Sequence, residues 1–199
     1  MTARTGMSNI ISDLRGLAEA GTAEWSIVGS GGTINYFDDD QLQNILDANR
    51  RDVVFEPAQM YPTQIAGGSL SYQDYRSMYG NYEATTGGSV IFYIQDSTGA
   101  FKGTADYTPD YRRGQFQFAT NQAGSAYYIT GSSYDLNSAA ASVWRQKAAH
   151  YSATSFDFST DNHSISRSQV YTHCLEMAAY FEGMSGESIQ TIPMFRSDI

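Results

Sequence analysis

The chain has 199 residues, 41% of them hydrophobic and 14% aromatic, enough for one substantial domain or a domain carrying a large insertion. Its formal charge of -9, from 12 Lys and Arg against 21 Asp and Glu, excludes a basic nucleic-acid footprint. A single Cys excludes an intrachain disulfide and a Cys-based zinc site, which fits a reducing compartment or a chain that needs no staples.

The N-terminal stretch MTARTGMSNIISDLRGLAEAG has no apolar region of signal-peptide length, and no run of membrane-spanning length occurs later. The expectation is a soluble, unexported protein with no membrane partner. Ile10, Leu14, Leu17 and Ala18 recur at helical intervals before Gly21, a natural C-cap residue, so the first helix is placed near 7–20. GSGGTINY follows as a loop. The Gly residues of GSGGT lack the Lys of a phosphate loop and precede an Asp cluster that would repel phosphate, so they are taken as a flexible turn.

In FDDDQLQNILDANRRD the acids supply an N-cap and first turn, and Leu42, Ile45, Leu46 and Asn49 share one face, placing the second helix near 38–52. From 53 to 132 short apolar runs alternate with Gly-, Asp- and Asn-containing turns. DSTG at 96–99 and YRRG at 111–114 are hairpin-turn sequences, and Gln115-Phe116-Gln117-Phe118 alternates as a half-exposed strand does. This segment is expected to be an antiparallel β-meander inserted between helices two and three.

Helical spacing returns in YDLNSAAASVWRQKAAHY. Leu136, Ala140, Val143, Lys147 and Tyr151 mark one stripe, flanked by Ala139, Trp144 and Ala148, so helix three lies near 134–151. The fourth helix, near 166–183, opens with Ser166 and Gln169 in capping-box spacing and closes at Gly183. Val170, Cys174, Met177, Ala178 and Phe181 form its apolar stripe. Residues 184–199 read as an extended tail whose Ile189, Ile192, Pro193, Phe195 and Ile199 would be buried only by a partner. The fold class is therefore α+β: a helical core from 1–52 and 133–183, a β-rich insertion at 53–132, and the tail.

The stretch from Phe156 to Cys174 gathers two of the three His, the only Cys and two Asp. It invites a metal or catalytic reading. His173 and Cys174, however, are adjacent helical residues pointing about 100° apart, so they cannot easily share an ion. Cys174 belongs to the apolar stripe, whereas His173 lies off it, on the surface or at an interface. Asp157, Asp161 and His163 sit where TDNH signals a turn between strands, without the Gly and late Glu of a calcium loop. Asp38, Asp39 and Asp40 are explained by helix capping, and His150 by the end of helix three. Trp144 and Tyr151 could line a ligand site, although an Ala-rich helix favours packing against another helix or subunit.

The ordered set YDLNSAAASVWRQKAAHYSATSFDFSTDNHSISRSQVYTHCLEMAAYFEG, together with YFDDDQLQNILDANRRDV upstream, resembles the head-tail adaptor, or connector, proteins of tailed bacteriophages. The resemblance implies a four-helix core assembled as a ring, expected to be dodecameric, beneath the portal vertex in the virion neck, after assembly in the host cytoplasm. It implies a portal protein above, tail-side proteins below, and DNA passing through the lumen without specific binding. It implies no catalysis and no cofactor. Trp144 and the tail residues Ile189, Ile192, Pro193, Phe195 and Ile199 are then candidates for contact with the portal or a neighbouring subunit.

Smaller members of that family are nearly all helical, so the β-rich insertion is a departure. One alternative is a Tyr-rich β module binding carbohydrate or a host or virion surface, which would require clustered exposed Tyr beside acids. A second is a hydrolase built on Asp38 to Asp40 or on Asp157, Asp161 and His163.

Overall fold

A computed structural model describes residues 3–22, 25–29, 32–86, 91–152, 157–160, 163–166 and 168–185. The first helix, α1 (Ser8–Leu17), buries Ile10, Ile11 and Leu14. It stops four residues before Gly21, because Glu19 takes the left-handed turn at φ 48°. Glu19 N then donates to Gly16 O and Ala20 N to Arg15 O, the paired bonds that close a helix through a left-handed residue.

The expected loop after α1 is instead a hairpin, β1 (Trp25–Gly29) and β2 (Gly32–Tyr36), paired antiparallel from Trp25↔Tyr36 to Gly29↔Gly32. Helix α2 (Asp39–Ala48) opens with a reciprocal cap: Gln41 N donates to Asp38 Oδ1 at 2.9 Å while Phe37 N donates to Gln41 Oε1 at 2.9 Å. Leu42, Ile45 and Leu46 are buried as their spacing requires.

The insertion begins without a linker. β3 (Arg50–Pro57) leaves α2 directly and pairs antiparallel with β9 (Tyr127–Tyr134), Arg50 opposite Tyr134. Between them come β4 (Gln59–Gln64), β5 (Leu70–Arg76), β6 (Tyr93–Asp96), β7 (Tyr107–Asp110) and β8 (Gln115–Phe118). All pairings are antiparallel, as expected, but the strands do not form one meander. They make a three-stranded sheet, β3-β9-β6, and a four-stranded sheet, β4-β5-β8-β7. Both sheets feed one core of Val53, Tyr75, Tyr82, Phe92, Ile94, Tyr107, Phe116, Phe118, Tyr127 and Ile129.

β9 runs through Asp135 into α3 (Leu136–Ser152), with Ser138 N donating to Asp135 Oδ1 at 3.0 Å as the N-cap bond. The hairpin β10 (Asp157–Thr160) and β11 (His163–Ser166) leads to α4 (Ser168–Met184), which packs along α3. Ser166 thus ends a strand, and the capping box counted from it does not fall at the helix start. The helical core joins α1, α2, α3 and α4 around Leu14, Phe37, Leu46, Trp144, Cys174 and Phe181. The chain is α+β with four helices, and its β-rich insertion enters and leaves through one antiparallel strand pair.

Candidate assembly surface

The junction of the two units is built by a residue at the N-terminal end. Arg4 Nη1 and Nη2 donate to the two oxygens of Asp47 on α2 at 3.0 and 2.6 Å, and Nε donates to Glu83 Oε1 at 2.9 Å. Nη2 also reaches Tyr134 Oη at 3.0 Å, and that hydroxyl donates to Glu83 Oε2 at 2.8 Å. The flanking carboxylates, Asp47 foremost, hold the Arg4 guanidinium well above its ordinary value. Burial, reinforced by Glu83, pushes the Tyr134 hydroxyl up as well. The cluster ties the N-terminus, α2, the 82–86 segment and β9 into one body.

Beside this junction lies a cleft of about 1280 Å³ bordered by Arg50, Arg51, Arg112, Arg113, Tyr79 and Met184. Four Arg in so acidic a chain suggest an anion site. Their partners argue otherwise: Arg50 pairs with Asp52 at 3.0 Å, Arg112 with Asp13 at 3.2 Å and Arg113 with Asp110 at 3.9 Å, and Arg51 lies 4.4 Å over the Tyr79 ring. The positive charge is answered within the chain.

Among the described residues no group of three or more His, Cys, Asp or Glu is placed to hold a metal ion, and no helix is long and apolar enough to cross a membrane. Asp38 caps α2, and Asp39 is bonded to Arg15 at 2.7 Å. His150 stacks on Trp25 with ring centroids 4.0 Å apart, a role beyond the end of a helix. His173 meets the Trp144 ring edge-on at 5.7 Å. The side chains of Asp157, Asp161 and His163 lie outside the described residues.

Trp144 is the first correction among the candidate interface residues. It is 3% exposed, its Nε1 donates to Leu17 O at 3.3 Å, and it belongs to the helical core. Lys147, one turn on, is 4% exposed and donates to Glu19 O at 3.0 Å, with its ammonium 4.9 Å from the Trp144 ring. These two side chains close the C-terminal end of α1 by binding its free carbonyls. Ile189, Ile192, Pro193, Phe195 and Ile199 lie outside the described residues.

Two apolar surfaces escaped the sequence reading. The first is the β4–β5 hairpin, in which every residue from Gln59 to Leu70 is exposed, including Met60, Tyr61, Ile65 and Leu70. Its signal was countable: no charged residue occurs from Pro57 to Gln73. The second is on α4. Val170, expected in the buried stripe, is 42% exposed, and with Tyr180 and Met184 it borders that stripe. Cys174, Ala178 and Phe181 are buried as expected.

No protein-family model, no curated protein and no solved structure matches this chain.

Proposed function

We propose that the chain is a structural protein of a tailed-phage virion, a head-tail adaptor that assembles as a ring beneath the portal and acts without catalysis. The observation that supports this reading is the order of its C-terminal half. The Tyr-Asp-Leu entry caps and starts α3, a short hairpin follows, and α4 returns along α3, the succession on which the resemblance rests. The ring would sit in the virion neck, with DNA crossing its lumen. An acidic chain suits that passage, since a wall that gripped phosphates would slow it. The tail, through Ile189, Ile192, Pro193, Phe195 and Ile199, would dock on the portal.

The carbohydrate-binding alternative needs clustered exposed Tyr, and less of the tyrosine surface is open than its count suggests. Tyr75, Tyr82, Tyr107, Tyr127 and Tyr134 are buried, eight others are half-buried, and the two exposed ones, Tyr61 and Tyr180, lie one on each unit. The adaptor reading is tested by mixing the chain with purified portal protein of a matching phage and measuring particle mass. A stoichiometric ring complex is expected, with loss of association on deleting 184–199. Unchanged portal binding by the shortened chain would remove the tail from the interface, and no complex with the full chain would overturn the adaptor role.

A further inference from the structure

Among the described residues of a chain of charge -9, the exposed hairpin and one face of α4 each group several exposed apolar side chains. Residues 57–73 carry no charge, and the 59–70 segment is open to solvent on both faces of β4 and around the turn to β5. On α4, Val170, His173, Met177, Tyr180 and Met184 follow one another at alternating steps of three and four. That spacing makes a helix seam able to receive a partner. Met177 is half-buried against the core, while Val170, Tyr180 and Met184 are 42, 58 and 43% exposed. The α4 acids stand off the seam, and Glu182 is already ion-paired with Arg145.

We propose that the β4–β5 hairpin of one copy packs on the α4 seam of the next copy, a head-to-tail contact that closes the ring. The inference rests on the ring reading above and names the surface that would make it. Two equally acidic copies repel over most of their surfaces, and a contact between two uncharged faces avoids that repulsion. The hairpin and the seam are different patches on different units of the chain. A contact between unlike patches repeats from copy to copy and generates a ring when its rotation closes.

The hairpin docks through side chains and not by extending a sheet. β4 is an edge of the β4-β5-β8-β7 sheet, but Pro62 removes a donor from it and the register slips between Tyr61 and Thr63. Both features blunt an edge against strand addition. At the hairpin base Arg76 lies 4.1 Å over the Tyr61 ring, so the apolar end of the hairpin, with Ile65 and Leu70, is the part offered to the seam.

Cysteine cross-linking tests the contact in the full chain, since the native Cys174 is 2% exposed. Ile65→Cys and Tyr180→Cys lie at exposed positions, so the variants should fold. Oxidation of the double variant should give a ladder of disulfide-linked copies, and a mixture of the two single variants should give linked dimers only. Ile65→Asp should weaken self-association at least ~10-fold, because it sets a carboxylate against an apolar seam. Dimers from either single variant alone would overturn the proposal in favour of a symmetric contact. A particle with ring mass but no Ile65–Tyr180 link would overturn this contact and leave the ring standing. A chain that stays monomeric by native mass, both alone and with portal protein, would overturn both.

Discussion

Arg4 and Glu83 lie 79 residues apart in the chain, and Arg4 binds both oxygens of the 4%-exposed Glu83 side chain, at 2.9 and 3.3 Å. Glu83 belongs to the β-rich insertion and Arg4 leads into the first helix, so this pair couples the two units. Arg4→Met leaves Glu83 with Tyr134 as its remaining side-chain partner in a nearly closed site. The expected loss is about 1–3 kcal/mol, less than for a fully buried ion pair because the Arg4 side chain is 39% exposed and water reaches that side of the site. The double variant Arg4→Met with Glu83→Gln should recover part of that loss. Urea midpoints of the two variants check it, and equal stability of Arg4→Met and the native chain would show that the pair contributes nothing.

Asp96 offers a pH test at a turn. Thr98 Oγ1 donates to Asp96 Oδ1 at 2.6 Å, with Thr98 N at 2.9 Å and Ala100 N at 3.1 Å on the same oxygen. These bonds, that of the Thr98 hydroxyl first, lower the Asp96 carboxyl to about 2. A carboxyl held below its unfolded value of about 3.9 contributes fully above that pH and loses the contribution as pH falls through about 2. NMR titration of the carboxyl carbon should show the low midpoint, and Thr98→Val should move it up toward the ordinary range. An unchanged midpoint in the variant would reassign the effect to the backbone N–H groups of Thr98 and Ala100, which the substitution leaves in place.

The helices were legible because each carries its own signal. Asp38 announces α2 and the Leu42, Ile45, Leu46 face defines it, while the Ala series of α3 marks close packing. The β1–β2 hairpin was not legible, since five-residue strands beside GSGGT offer too little alternation to outweigh the Gly. Sheet order was hidden for a different reason. β3 pairs with β9 across the whole insertion, and nothing local in Arg50 or Tyr134 names the other. Arg4 was equally silent, a lone cation near the N-terminus whose partners come from three distant segments. The uncharged run from Pro57 to Gln73 stood in plain view, but only burial distinguishes an uncharged core strand from an exposed arm.

Two glycines should respond to Ala in opposite directions. Gly114 has φ 62°, and a Cβ there would come within 1.9 Å of Tyr79 O, a backbone atom that cannot turn away. Gly114→Ala is expected to cost at least ~2 kcal/mol from backbone strain and collision. Gly16, inside α1, has nothing within 4 Å of the same position. Gly16→Ala should stabilise by about 0.5–1 kcal/mol through helix propensity alone. Thermal midpoints of the two variants should move in opposite senses, and a shared direction would refute the turn geometry at Gly114.

Glu19 holds the left-handed position that glycine fills in most helix ends of this kind. Its side chain is exposed, and the atom that matters to the fold is its carbonyl, which accepts from Lys147. Glu19→Gly keeps that carbonyl and relieves the strain, so the chain should gain about 1 kcal/mol. A loss of stability, measured by urea unfolding, would mean that the Glu19 side chain does more than its exposure suggests.

Trp144 separates a core role from an interface role. A residue on an assembly face can be truncated without harm to the isolated chain, whereas a Trp 3% exposed and bonded to Leu17 O cannot. Trp144→Ala removes the ring that lies against His173 and Lys147 and opens a cavity between α1 and α3. The expected loss is about 3–5 kcal/mol. The variant should unfold at much lower urea than the native chain even when dilute enough to be monomeric. A folded, equally stable monomer that fails only to associate would return Trp144 to the interface.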